Sequence, residues 1–402
     1  MTARLCDQLG TPAVEPARER PLRFGMVGGG RDAFFGAVHR QAAGLDGGTQ
    51  FVAGALSSTP EKAVASAINL GIDPARAYPS WQAMLEGESA LPPEQRINFV
   101  SIVTPNHTHA EIAGAFAEAG FHVVLDKPMP LTTAEADALV RTIEDAGVVC
   151  CVTYTFLGYP MIREARHLVR SGALGAIRKV YVDFRQGWLG TLLEAGGHKQ
   201  ASWRTDPALA GAGALGDIGV HAEALARWVT GARIRSLCAE VSTMVEGRRV
   251  DDDASVLLRL SNGARGVLNA SQVCTGEECA LTLRVFGDRG GLFWSHEQPE
   301  RLEVSYGDRA TEIITRAGVG ASPSSNLATR LPQGHPEGFI EALAGVYRGA
   351  IAAIRARQTG QTPEGLATDY PSHLDGSEGV RFVEAALASA RAGGVWTDIE
   401  RG

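Results

Sequence analysis

Lys127 stands between Asp126 and Pro128, at the end of the apolar run Phe121–Leu125. The proline restricts the residue before it to an extended conformation, so the ammonium is aimed from a fixed turn. Only four of the 38 basic residues are lysines: Lys62, Lys127, Lys179 and Lys199. In a chain that uses Arg almost everywhere, a retained Lys suits a place that needs a compact ammonium able to release a proton. A second grouping is Gly211-Ala-Gly213-Ala-Leu-Gly216-Asp217-Ile-Gly219-Val-His221. Asp217 and His221 are spaced to share one face of a helix, and the glycines permit close approach of another body. An ammonium, a carboxylate and an imidazole are the groups that move a proton on and off an oxygen. Each also has a plainer reading: Lys-Pro as a turn, Asp/His as a capping pair. No third ligand-type residue keeps a metal-like spacing near them, and Cys274 and Cys279 lack a partner set, so no metal is expected.

Gly28-Gly29-Gly30 follows the apolar run Leu22–Val27. Glycines there allow a tight turn and let the backbone approach a pyrophosphate at the next helix N-terminus, which makes dinucleotide binding the expectation. The usual third glycine would fall at position 33, which is Ala33, an allowed substitute; Gly36, after a three-residue insertion, is the better fit. The second strand ends in Leu56-Ser57-Ser58-Thr59-Pro60-Glu61-Lys62, without the acid that would hold a ribose 2′-hydroxyl. Ser57, Ser58 and Lys62 could hold a 2′-phosphate, which tilts the expectation between NAD and NADP towards NADP.

The elements that must position these groups follow from periodicity. Apolar runs at Leu22–Val27, Gln50–Leu56, Ile97–Val103, Phe121–Leu125 and Val148–Val152 alternate with helical patterns at Ala33–Ala43, Pro60–Leu70, His109–Ala119 and Thr133–Ala146. That alternation predicts an α/β Rossmann domain with a doubly wound parallel sheet over 21–150. Residues 1–20 show no periodicity and read as a mobile arm. From 151 to 402 the pattern changes. Strands at Ile177–Phe184, Ile234–Val241, Ala254–Leu260, Ala264–Ser271, Leu281–Phe286, Gly291–Trp294 and Leu302–Tyr306 run mostly without helices between them. They predict an α+β domain with a large, mostly antiparallel sheet. Helices are expected at Met161–Arg170, Ile218–Val229, Glu337–Arg355 and Gly376–Arg391, with Ser322–Ser325 a flexible loop.

The 402 residues carry a net charge of −7 and no long basic block, so nucleic acid is a poor partner. No apolar run approaches the roughly 20 residues of a membrane span. Six unpatterned cysteines and the lack of an apolar segment in Met1–Arg20 suit a reducing cytoplasm.

Taken together, Gly28-x-Gly30, Thr104-Pro105-Asn106-x-x-His109, Asp126-Lys127-Pro128 and Gly-x-Gly-x-x-Gly-Asp-x-Gly-x-His resemble the glucose–fructose oxidoreductase/inositol dehydrogenase/rhizopine catabolism (Gfo/Idh/MocA) family. The resemblance runs from about Leu22 to the last helix. It implies NAD(P)-dependent interconversion of a secondary alcohol and a ketone on a sugar or cyclitol. It also implies a homodimer or homotetramer built through the antiparallel sheet. By resemblance Lys127 is the catalytic lysine, Asp217 the carboxylate that positions substrate, and His221 the proton-transfer histidine. Thr104, Pro105, Asn106 and His109 line the nicotinamide side, with Asp126 beside Lys127. The chain departs from the family in having Asp126 where Glu is commoner, in the phosphate-loop insertion and in the missing acid after the second strand.

Further substrate contacts are expected from Tyr154 and Thr155 at the fifth strand's end, from Lys199, Trp203 and Arg204 in a polar loop, and from His335 in Gly-His-Pro-Glu-Gly. Three other functions fit the same residues less fully. They are a dinucleotide-binding sensor, an enzyme that cleaves glycosides through a transient 3-keto intermediate while recycling NAD, and an imine reductase.

Overall fold

The computed structural model describes residues 20–31, 33–361 and 369–399, so the arm expected over 1–20 lies outside them except for Arg20. The first half builds β1 (Leu22–Gly28), α1 (Phe34–Gly44), β2 (Thr49–Ala55), α2 (Pro60–Asn69), α3 (Trp81–Ala90), β3 (Phe99–Val103), α4 (His109–Glu118), β4 (His122–Leu125), α5 (Thr133–Ala146) and β5 (Cys150–Val152). The five strands pair in parallel in the order β2-β1-β3-β4-β5. Both faces are covered by helices, which is why the strands read as continuous apolar runs rather than alternating ones. Local chemistry sets the helix ends. Thr132 and Glu135 form a reciprocal capping box on α5, and Gly147 ends it in a left-handed conformation at φ 63°.

The second half builds α6 (Pro160–Arg170), β6 (Ile177–Arg185), α7 (Lys199–Arg204), α8 (Pro207–Ala210), a π-helical turn (Leu215–Gly219) and α9 (Val220–Thr230). Strands β7 (Ile234–Ser242), β8 (Asp253–Leu260), β9 (Arg265–Ser271), β10 (Ala280–Gly287), β11 (Gly290–Ser295), β12 (Arg301–Tyr306) and β13 (Glu312–Thr315) follow. The chain closes with α10 (Pro323–Ala328), α11 (Phe339–Gln358), α12 (His373–Arg391) and β14 (Thr397–Asp398). The nine-stranded sheet runs β13-β12-β11-β10-β6-β9-β8-β7-β14, antiparallel except for β6 with β9. One face packs on α6, α9 and α12. Strands such as β8 alternate buried and exposed residues, as a sheet with one covered face requires.

Several elements differ from the sequence expectation. Lys199–Arg204 is a short helix rather than a loop, and Pro323–Ala328 is a helix whose Ser322 hydroxyl accepts from the Ser325 N–H at 3.3 Å. The last long helices begin at Phe339 and His373. Helix α3 was not expected, because Gly87 interrupts a weakly amphipathic stretch. The division at residue 150 is also crossed in packing. Leu343, Tyr347 and Ile354 of α11 share a buried cluster with Phe24, Met26 and Phe99 of the parallel sheet. Among the described residues no helix is long and apolar enough to cross a membrane.

Buried neutral histidines make stability depend on pH. His122 Nδ1 accepts from the Val149 N–H at 2.9 Å, and burial, then the Arg357 charge, pushes its pKa down to about 4. Because the folded value lies below the unfolded one, the unfolded chain takes up the proton first. Stability is therefore complete above about pH 6.5 and is lost as pH falls towards 4, by about 3 kcal/mol for this group. His122→Asn keeps an acceptor in place of Nδ1 and should remove that part of the loss, measured by urea unfolding at pH 7 and pH 4.5.

Candidate active site

The glycine turn after β1 is shaped by what a side chain would strike. A Cβ on Gly29 would lie 2.8 Å from Gly36 Cα, one on Gly30 2.4 Å from Leu56 O, and one on Gly36 2.1 Å from Gly29 O. Gly36 is thus the third glycine, letting α1 pack directly on the turn despite the insertion. Helix α1 starts without a side-chain cap and with no acid in its first turn, which leaves its N–H groups and dipole for an anion. Over this turn lies a cavity of about 920 Å³ lined by Gly28, Gly30, Ala33, Ser57, Ser58, Lys62, Thr104 and Pro105 among others. The missing side chains, the uncapped helix and the cavity size all fit a dinucleotide.

A second cavity of about 220 Å³ shares Ala33, Val103, Thr104, Pro105 and Lys199 with the first, and is walled by Gly36, Asn106, Asp126, Lys127, Trp203, Arg204 and Asp217. Here Lys127 Nζ donates to Asp217 Oδ1 at 2.7 Å and to the Asp217 carbonyl at 2.5 Å. The π-helical turn therefore presents both oxygens of one residue type, carboxylate and carbonyl, to a single ammonium. Asp251 holds that turn by accepting from the N–H groups of Gly213 and Leu215 at 2.7 and 2.8 Å. Lys127 is fixed from its own side as well. Its N–H and the Thr153 hydroxyl both donate to Asp126 Oδ1 at 2.9 Å.

Asp217 Oδ2 accepts from Gln272 Nε2 at 2.8 Å and lies 3.7 Å from Arg204 Nε. Burial alone would push the Asp217 carboxyl up. The Lys127 and Arg204 charges, with hydrogen bonds from Lys127 and Gln272, outweigh burial and hold it well below the usual carboxylate range. His221, one helical turn on, is 8% exposed and packs edge-to-face on Phe156 and Tyr154 with centroids at 4.9 and 5.8 Å. Burial, then the Lys127 charge, pushes its pKa well below that of an ordinary histidine, opposed only in part by Asp217. The imidazole is therefore neutral at pH 7, the form that accepts a proton.

Other expected contacts are placed differently. Tyr154 is 1% exposed and packs behind His221 against α12, so it supports the imidazole rather than facing the cleft. Thr155 is likewise buried. His109 is fully buried, its ring nitrogens 2.8, 3.0 and 2.9 Å from the carbonyls of Pro128, Met129 and Thr104. It ties the loop after β3 to the loop after β4 instead of lining the nicotinamide side. Asn106 donates to the Ala210 carbonyl at 3.1 Å, joining the two halves of the chain. His335 is exposed and, like the buried His221, absent from the walls of both cavities. The Gly213 side-chain space is filled by protein, since a Cβ there would lie 1.8 Å from the Asp251 carbonyl. That glycine serves packing rather than ligand approach. Gln272, Gln186 and Asp251 carried no local pattern in the sequence.

A dinucleotide cavity running into a smaller one floored by a lysine–aspartate pair is the site of a nicotinamide-dependent dehydrogenase. Residues 22–154 match the model of the oxidoreductase family with an NAD-binding Rossmann fold, and 162–293 match the GFO/IDH/MocA C-terminal domain. The chain belongs to this family. It is 32% identical to the uncharacterized oxidoreductase YfiI of Bacillus subtilis, over 95% of this chain and 98% of that one. It is 27% identical to levoglucosan dehydrogenase of Pseudarthrobacter phenanthrenivorans, over 94% and 98% of the two chains. An inositol dehydrogenase homolog from Azotobacter vinelandii, solved with NADH and myo-inositol, superposes with a TM-score of 0.87 at 35% identity, covering 94% of this chain and 97% of that one.

Proposed function

We propose that the protein interconverts a ring secondary alcohol and its ketone on a sugar, glycoside or cyclitol by hydride transfer. The observation that carries this reading is the Lys127 ammonium seated on Asp217 in the wall of the small cavity that adjoins the dinucleotide cavity. A nicotinamide dinucleotide bound along the glycine turn supplies the hydride acceptor or donor. Lys127 hydrogen-bonds the reacting oxygen and stabilises its alkoxide character. Asp217 holds Lys127 in place, and neutral His221 takes the hydroxyl proton in the oxidation direction. Lys199, Trp203 and Arg204 bind the remaining hydroxyls from α7. NADH is the cofactor in the crystal structure of the Azotobacter vinelandii homolog. The acid-free end of β2, with Ser57, Ser58 and Lys62 on the cavity wall, leaves NADP admissible.

The test is a panel of inositols and pyranosides, with absorbance followed at 340 nm for NAD⁺ and NADP⁺ in parallel. A rise with at least one polyol is expected. No rise from a protein that binds NADH would favour the sensor. Product release without reduced cofactor would identify the glycoside-cleaving reaction.

The open face of the nine-stranded sheet carries Tyr181, Val267, Leu257 and Phe286, which the strand registers bring onto one side. Leu257 is 48% and Phe286 39% exposed, an apolar patch that a second copy would cover. A homo-oligomer through this face belongs to the same reading, in a cytoplasmic setting. Leu257→Glu is expected to halve the mass seen by light scattering. An unchanged mass would place the contact elsewhere.

A further inference from the structure

Asp217 is an effective partner for Lys127 only if its second oxygen is also satisfied, and that task falls to a residue outside any motif. Gln272, just beyond β9, is 1% exposed. Its main chain is pinned on both sides: its N–H donates to Asp252 O at 2.8 Å, and its carbonyl accepts from the Leu189 N–H at 3.2 Å. Its Nε2 donates to Asp217 Oδ2 at 2.8 Å and reaches Gln186 Oε1 at 3.5 Å. Gln186 Oε1 in turn accepts from Trp188 Nε1 at 3.1 Å.

The direction of this chain is forced at both ends. An indole nitrogen only donates, so Gln186 must present its oxygen to Trp188. An ionised carboxylate only accepts, so Gln272 must present its NH₂ group to Asp217. A glutamine between an amide oxygen and a carboxylate therefore has one workable orientation, with nitrogen towards both. It adds a hydrogen bond without a charge, whereas Arg204 and Lys127 already supply two cations. A third cation would compete with Lys127 for the carboxylate.

We propose that Gln272 is a positioning residue for the reaction, holding the Asp217 carboxylate turned so that Oδ1 faces Lys127. This rests on the proposed dehydrogenase reading. It extends the site to three separately placed segments: the turn at Asp217, the end of β9, and the loop after β6.

The test uses Gln272→Leu and Gln272→Glu in the full-length protein, with thermal unfolding and NADH fluorescence titration as controls. In Q272L, kcat is expected to fall by about tenfold to a hundredfold with KM changed less than about threefold. Q272E reverses donor to acceptor. It should be worse than Q272L at neutral pH and recover as pH falls, when the introduced carboxyl protonates and can donate again. Equal losses in both variants at every pH would reduce Gln272 to packing, and a parental kcat in Q272L would also overturn the proposal. A readout independent of turnover comes from the scarcity of lysine. With four lysines in the chain, the Nζ signal of Lys127 can be assigned from the Lys127→Ala spectrum. Its protection from solvent exchange should be present in the parent and lost in Q272L. If the parent turns over no polyol, the dehydrogenase reading fails, while retained or lost protection still decides whether Gln272 positions the pair.

Discussion

Lys127→Ala is expected to lower kcat by about a thousandfold or more while leaving the Kd for NADH within about twofold. The size follows from position. The ammonium is the cation that meets the Asp217 carboxylate oxygen Oδ1 at 2.7 Å and its main-chain carbonyl at 2.5 Å in the wall of the small cavity. Lys199 reaches the same small cavity from α7, but the Asp217 carboxylate is taken up by Lys127, Gln272 and Arg204; Lys62 lines the dinucleotide cavity and Lys179 lies on β6. Cofactor affinity is spared because the glycine turn and the start of α1 are formed by other residues. Lys127→Arg should rescue little, because a planar guanidinium does not reproduce the compact ammonium that meets Asp217 Oδ1 and the Asp217 carbonyl together. Steady-state kinetics beside NADH fluorescence titration separates the two effects. A variant with near-parental kcat would remove Lys127 from the chemistry.

Asp217→Asn is expected to produce the next largest loss, about a hundredfold in kcat. Asn keeps the volume but cannot satisfy its neighbours. Oδ1 faces the Lys127 ammonium, and Oδ2 faces the Gln272 amide and the Arg204 guanidinium, all of them donors. Whichever way the new amide turns, its NH₂ meets a donor, and Lys127 loses the charge that balances it. Thermal unfolding reports the cost to the fold, and kcat against KM reports the cost to the reaction. A loss confined to KM would show that Asp217 only binds substrate. In the parent, Asp217 is held ionised far below neutrality, so the acid limb of its activity should not come from this carboxyl.

The parallel sheet and its ligand end were legible because the relevant features are local. Glycines after β1, the Asp-Lys-Pro turn after β4 and the alternation of runs and helices lie within short windows. Gly36 was legible as the better fit of two candidates, and the 2.1 Å that a Cβ there would leave to Gly29 O bears this out. Contacts between distant segments left no such trace. Gln272 is an ordinary strand-end glutamine until β9 carries it to Asp217, 55 positions away. His335 and Tyr154 misled for the opposite reason. A histidine beside a helix start and a tyrosine at a strand end look like cleft residues, but orientation depends on packing. One is exposed away from both cavities, and the other is sealed behind His221. His109 belongs with them: its spacing marked an important loop, and the ring turned inward to tie that loop to the next.

The most direct measurement is transfer of label from a substrate deuterated at its ring carbons. Proton NMR of the reduced cofactor formed by the parent protein should show deuterium at C4 of the nicotinamide, and no such product should form with Lys127→Ala. Reduced cofactor carrying only protium, or label transfer undiminished in the variant, would contradict hydride transfer across the Lys127–Asp217 cleft.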